Sequence, residues 1–166
     1  SANLSVQPHR LDLRANRLLA TREEVAAALA AGGASVAPCA LAREGLTAAD
    51  RTGLFGRAHA RGLFEMQDEG SQLIAELCGA RPGETVVDLC AGSGGKALAL
   101  AAAVGTSGHV FACDADPRRL SELPARARRA RASAIVEVAG AEPPGSLAGK
   151  ADAVLVDAPC SGVGSL

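Results

Sequence analysis

Aromatic side chains are nearly missing from this 166-residue chain, which has three Phe, no Tyr and no Trp. A stacking platform of aromatic rings is therefore excluded, and any base stacking falls to aliphatic or Arg faces. Net charge is nearly absent too, at −1, so no global field pulls the chain toward a polyanion. The cysteines Cys39, Cys78, Cys90, Cys113 and Cys160 contain no CxxC pair and are odd in number. This spacing argues against a zinc site and a disulfide framework, and a reducing, cytoplasmic setting fits it best. The longest apolar run, residues 97–104, is far too short to span a bilayer. No basic-then-apolar leader is visible, so the expectation is a soluble protein with neither membrane nor metal as a partner.

Apolar residues make up 48% of the chain, enough for a real core. The length suits one domain, or one domain with a small attachment. Arg is unevenly placed. Arg118, Arg119, Arg126, Arg128, Arg129 and Arg131 crowd one stretch, and Arg10, Arg14, Arg17 and Arg22 another. Each stretch reads either as a solvated face or as an electrostatic footprint for phosphates.

Residues 10–18 alternate apolar and charged side chains as a half-buried strand does. Thr21 and Glu24 form a capping box for a helix running to about Ala31, ended by Gly32 and Gly33. Residues 35–62 hold no sustained period and suggest short strands and loops. A second unit begins near Met66, with a helix expected to turn Leu73, Ile74 and Leu77 inward. From there strand and helix alternate: strand 84–89, helix 95–104, strand 109–113, helix 117–131, strand 134–138 and strand 152–157. Pro124 is expected to kink or split the Arg-rich helix. The pattern predicts an α/β, doubly wound sheet, divided as residues 1–65 and 66–166.

Residues 84–97, ETVVDLCAGSGGKA, combine a strand with a glycine turn. Gly92, Gly94 and Ala97 satisfy G-x-G-x-x-A, and Asp114 lies twenty residues past Gly94, so a dinucleotide site is formally possible. A Walker loop is not, since Cys90 replaces its first Gly and Ala97 follows Lys96 where a hydroxyl is needed. Asp88 decides between NAD and S-adenosyl-L-methionine. A carboxylate just before the loop repels a pyrophosphate, whereas an ammonium and a sulfonium are drawn to it. On this reading Lys96 and free backbone N–H groups receive the cofactor's carboxylate, and Asp114 takes the ribose hydroxyls.

Residues 157–162, DAPCSG, bring Asp157 to the carboxyl edge of the sheet, with Pro159 fixing the turn. An acid here can hydrogen-bond the amidine edge of cytosine. A thiolate can attack carbon 6 and leave carbon 5 nucleophilic, and spacing alone makes Cys160 the candidate nucleophile. A small buried thiol in a turn is the structural alternative.

Four segments in order, QDEGSQL (67–73), PGETVVDLCAGSGGK (82–96), CDAD (113–116) and DAPCSGVG (157–164), resemble the Sun/RsmB family of RNA (cytosine-5) methyltransferases, including the bacterial enzymes that modify small-subunit ribosomal RNA. The resemblance implies a Rossmann-like methyltransferase fold with a small α/β amino-terminal RNA-binding module. It implies cofactor contacts from Cys90, Ala91, Gly92, Ser93, Gly94, Gly95, Lys96, Asp114 and Asp157. It also reassigns Cys160: the family's nucleophile is a second cysteine in a later motif, and the cysteine matching Cys160 assists release of the methylated product. That later motif is expected beyond Leu166, so the 166 residues are expected to bind cofactor without turnover. Two departures stand out: Gly140-Ala141 where Gly-Asp is common, with Glu142 a possible substitute, and Gly92-Ser93 where Ala-Pro is common. Two other readings stay open: a dinucleotide-dependent oxidoreductase, and a non-catalytic cofactor-binding or RNA-binding domain.

Overall fold

The computed structural model describes residues 11–158. Cys160, Pro159 and Arg10 lie outside the described residues. Two sheets build the chain. The first is antiparallel, made of β1 (Leu11–Ala15), β2 (Val36–Pro38), β3 (Gly45–Ala48) and β4 (Phe64–Met66) in the order β2-β3-β1-β4. Helix α1 (Arg22–Ala31) packs on it, burying Val25 and Leu29. Its Thr21–Glu24 capping box forms as the sequence predicts, with both reciprocal bonds present. A short helix α2 (Arg57–Ala60), not anticipated from sequence, leads into β4. Leu13, Leu46, Leu54 and Phe64 fill this unit's core.

Helix α3 (Glu69–Leu77) leads into the second sheet. The expectation that Leu73, Ile74 and Leu77 face inward is corrected: the buried residues are Gln72 and Ala75, Leu73 is half-buried, Ile74 is exposed and Leu77 is 85% exposed. The Gln72 amide sets the orientation. Its Nε2 donates to the carbonyls of Leu13 (3.1 Å) and Gln67 (2.8 Å), which turns a polar side chain onto β1 and leaves Leu77 in solvent.

The second sheet is parallel: β5 (Thr85–Asp88), β6 (His109–Cys113), β7 (Val136–Gly140) and β8 (Ala153–Leu155), in the order β7-β6-β5-β8. Helix α4 (Gly95–Val104) crosses from β5 to β6 and buries Leu98, Leu100 and Val104. The predicted helix over 117–131 is split, as Pro124 requires. A 3₁₀ turn, Pro117–Leu120, is followed by α5 (Leu123–Arg129), which carries Pro124 in its first turn, where no intrahelical N–H bond is lost. Among the described residues no strand pairs the outer edge of β8, and Val154 and Val156 are exposed there.

β5 connects to β6 on one side, whereas the chain returns from β7 to lay β8 on the other. This reversal of strand order opens a crevice at the carboxyl ends of the strands, where such sheets bind ligands.

Candidate functional site

A cleft of about 530 Å³ occupies that crevice, and Gln67, Cys90, Gly92, Lys96, Arg126 and Asp157 are among its walls. The parallel strands deliver three carboxylates to its edge. Asp88 ends β5, Asp114 follows β6, and Asp157 lies two residues past β8. Among the described residues no cluster of three or more His, Cys, Asp or Glu side chains is placed to hold a metal ion. No helix among them is long and apolar enough to cross a membrane.

Asp88 is fully buried, and neither carboxylate oxygen has a hydrogen-bond partner of good geometry. Burial pushes its pKa up from 3.8 to about 6. The Cys90 amide and the Lys96 charge pull it down, and Asp157 and Asp114 add repulsion. An ionisable group left unpaired in the interior is costly. It sits at the end of β5, just before the glycine loop, and its raised pKa marks it as a candidate site residue.

Asp114 is differently placed. Oδ2 accepts from the Gly92 N–H (2.9 Å) and pairs with Arg119 Nη1 (3.2 Å), while Oδ1 accepts from the Asp116 N–H (3.0 Å). In this structure it fastens the glycine loop to the end of β6. Lys96 Nζ sits 2.6 Å from Asp157 Oδ2, so the cation expected to face a carboxylate group of the cofactor is paired across the cleft with the expected substrate-side acid. Gly94 caps α4 with φ +89°, a conformation an L side chain rarely adopts, and the absence of a Cβ leaves the space that the Leu123 side chain of α5 occupies. Ala91 is buried, Cys90 is half-buried, and Ser93 is exposed at the tip of the loop. Gly95 opens α4, whose first N–H groups have no side-chain cap. Ala141 and Glu142 are both exposed beyond β7. Cys160 lies outside the described residues.

Sequence reasoning missed the wall facing the loop. Glu65, on β4, is 2% exposed; its Oε2 accepts from Arg126 Nε and Nη2, and its Oε1 from Arg129 Nη2. Arg14 is also buried and donates to Gln67 Oε1 at 2.6 Å. Burial brings its pKa down to about 10, against the pull of Glu65. The available signal was a lone Glu between Phe64 and Met66 in a buried strand, which demands a cationic partner without saying which.

The family model described as the 16S rRNA methyltransferase RsmB/F matches residues 75–166. The chain belongs to the RsmB/F family of methyltransferases. The probable ribosomal RNA small subunit methyltransferase B of Synechocystis is 34% identical, over 94% of this chain and 36% of its own length. The crystal structure of PH0851 is 30% identical, with a TM-score of 0.81 over 94% of this chain and 36% of that one. A methyltransferase homolog protein from Pyrococcus horikoshii is 26% identical, with a TM-score of 0.76 over 96% and 53%. The chain thus spans about a third of the length of the curated relatives it matches. Its parallel sheet is Rossmann-like and is shared with these two structures.

Proposed function

We propose that this chain carries the S-adenosyl-L-methionine cleft, and part of the RNA-facing surface, of an enzyme that methylates carbon 5 of cytosine in small-subunit ribosomal RNA, acting in the cytoplasm. The observation that carries this reading is Asp88, a buried carboxylate with no hydrogen bond of good geometry, at the strand end that leads into a glycine loop. The cleft is two-signed: Asp157 lines it with Lys96, Arg119 and Arg126, and the buried carboxylates Asp88 and Asp114 lie behind it at the ends of β5 and β6. Such a lining suits a zwitterion that also bears a sulfonium and opposes a pyrophosphate beside Asp88.

When bound, the cofactor supplies an electrophilic methyl group. Asp88 draws the ammonium end into the crevice. The uncapped amides of α4 favour its carboxylate, and Cys90, Ala91, Gly92, Ser93, Gly94 and Gly95 form the floor. Asp114 holds Gly92 in place and offers its remaining lone pairs to ribose hydroxyls. Asp157, oriented by Lys96, leaves Oδ1 to accept from the amino edge of cytosine. Cys160, by the family resemblance, assists product release. The nucleophile is a cysteine of the parent enzyme outside these residues.

Calorimetry separates this reading from the oxidoreductase alternative. S-adenosyl-L-methionine and S-adenosylhomocysteine are expected to bind, and NAD is not. NAD binding with no adenosylmethionine binding overturns the assignment.

Residues 1–65 form the proposed RNA-binding module, and residues 66–166 the cofactor-binding unit. The Arg-rich stretch divides its labour. Arg126 and Arg129 are held by Glu65, Arg118 by Asp116 and Arg119 by Asp114, whereas Arg61, Arg128 and Arg131 are exposed and have no ion pair among the described residues. Arg61 and Arg131 flank the junction where Asn16 Nδ2 donates to both the Gly62 and Ala130 carbonyls. Replacing Arg61, Arg128 and Arg131 by Gln is expected to weaken RNA binding about equally across sequences. Each replacement should reduce the slope of log K against log salt by about 1 where it removes a phosphate contact. An unchanged salt slope in filter-binding or anisotropy titrations removes these residues from the RNA path.

A further inference from the structure

We infer that Arg126 is a positioning residue of the cofactor cleft, bracing the tip of the glycine loop against the amino-terminal sheet through Ser93 on one side and Glu65 on the other. This rests on the reading of the cleft given above, and it assigns a role to a side chain outside the glycine motif.

The geometry leaves the guanidinium little freedom. Arg126 Nη1 donates to the Ser93 carbonyl at 2.8 Å and to Ser93 Oγ at 2.9 Å. Nε and Nη2 donate to Glu65 Oε2 at 3.1 and 2.9 Å. Four hydrogen bonds from one planar fork fix its orientation, a task that the single ammonium of a lysine cannot perform. Glu65 is itself immobilised, being 2% exposed, with its second oxygen accepting from Arg129 at 2.7 Å.

The loop requires such a hold. Residues 92–95 read Gly-Ser-Gly-Gly, the composition with the most backbone freedom to lose on ordering. Asp114 ties down the Gly92 N–H and Ala91 accepts from Gly94 N–H. The tip at Ser93 is exposed, and among the described residues Arg126 is the side chain that fastens it. Its anchor belongs to β4, so the loop's conformation depends on the docking of the amino-terminal sheet. The brace therefore lowers the ordering cost that cofactor binding would otherwise meet.

The test compares wild type with R126M, R126K, E65Q and the E65Q/R126M double variant. It uses calorimetry with S-adenosylhomocysteine and hydrogen exchange at residues 92–95 of the ligand-free chain. R126M is expected to weaken binding about 10-fold or more, the loss expected for hydrogen bonds from a charged donor. R126K is expected to rescue little of it, and E65Q to weaken binding in the same direction. The double variant should bind no worse than R126M, because both changes break one brace. Exchange at the loop amides should quicken in every variant. Affinity within twofold of wild type for R126M, full rescue by R126K, or additive losses in the double variant would each overturn the brace. If wild type binds no S-adenosylhomocysteine, the cofactor reading fails, and loop exchange in R126M still decides the brace. S93A, which leaves the Arg126–Glu65 pair intact, is expected to show a smaller loss in both readouts and replaces E65Q if that variant does not fold.

Discussion

Replacing Asp88 by asparagine is expected to raise the melting temperature of the ligand-free chain at pH 8 by several degrees while lowering affinity for S-adenosyl-L-methionine by about 100-fold. The two effects have one cause. Asp88 is fully buried, neither oxygen has a hydrogen-bond partner of good geometry, and burial lifts its pKa from 3.8 to about 6. The folded chain thus holds this proton more tightly than the unfolded chain does. Stability from that proton is fully present below about pH 3.8 and is lost as pH rises through about 6. The loss is on the order of 3 kcal/mol once the group is fully ionised. Asparagine has nearly the shape of the protonated acid and never ionises, so it escapes the loss. The gain should vanish below pH 4 and reach its full size above pH 6. Ligand binding reverses the balance, because a cation beside the carboxylate favours ionisation. Titrations near pH 6 in buffers of different ionisation heat should show proton release on binding to wild type and none with D88N. A D88N chain that melts lower than wild type at pH 8 would make the carboxylate a structural group instead.

The parallel sheet and its carboxyl edge were legible because their signals are local. The run from Thr85 to Val87 is β-branched, follows a Pro-Gly turn and leads through Asp88–Ala91 into the glycines, and His109–Cys113 repeats the apolar run. Strand ends in a parallel sheet fall on one edge, so Asp88, Asp114 and Asp157 follow from counting. The packing of α3 was not legible in the same way. Ranking its side chains by hydrophobicity points Leu73, Ile74 and Leu77 inward. What decides is the demand of two carbonyls for a donor, Leu13 on β1 and Gln67 just past β4, met by Gln72 from 59 residues away in one case and five in the other. The pairing of Glu65 with Arg126 and Arg129 spans 61 and 64 residues. Nothing in the local sequence distinguishes those two arginines from the exposed Arg128 between them. The Arg-rich stretch held both alternatives at once, and the contacts made by each residue sort it. The other cluster is mostly structural: Arg14 is buried, Arg17 lies 3.5 Å from Glu44, and Arg22 pairs with Glu23.

Gly62→Ala is expected to cost about 3 kcal/mol or more of stability and to weaken cofactor binding from outside the cleft. Gly62 has φ +71°, where an L side chain alone costs about 1–2 kcal/mol. A Cβ there would also lie 1.9 Å from the Arg129 carbonyl oxygen and 2.6 Å from its carbon. Both are backbone atoms at the end of α5, so no rotamer change relieves the clash. The turn before β4 and the end of α5 must separate. Separation strips Asn16 of its paired bonds to the Gly62 and Ala130 carbonyls, at 2.9 and 2.8 Å, leaving a buried amide unsatisfied. It also draws Glu65, three residues further on, away from Arg126 and Arg129. The melting temperature should fall by about 6 °C or more. At a temperature where the variant is still folded, its affinity for S-adenosylhomocysteine should fall in parallel with faster hydrogen exchange at residues 92–95. Asn16→Ala removes the bonds without the clash and should show the same pattern at smaller amplitude. If Gly62→Ala lowers the melting temperature yet leaves both loop exchange and affinity at wild-type values, the amino-terminal sheet and the cofactor cleft are energetically independent, and the contact between them serves only to hold the two units together.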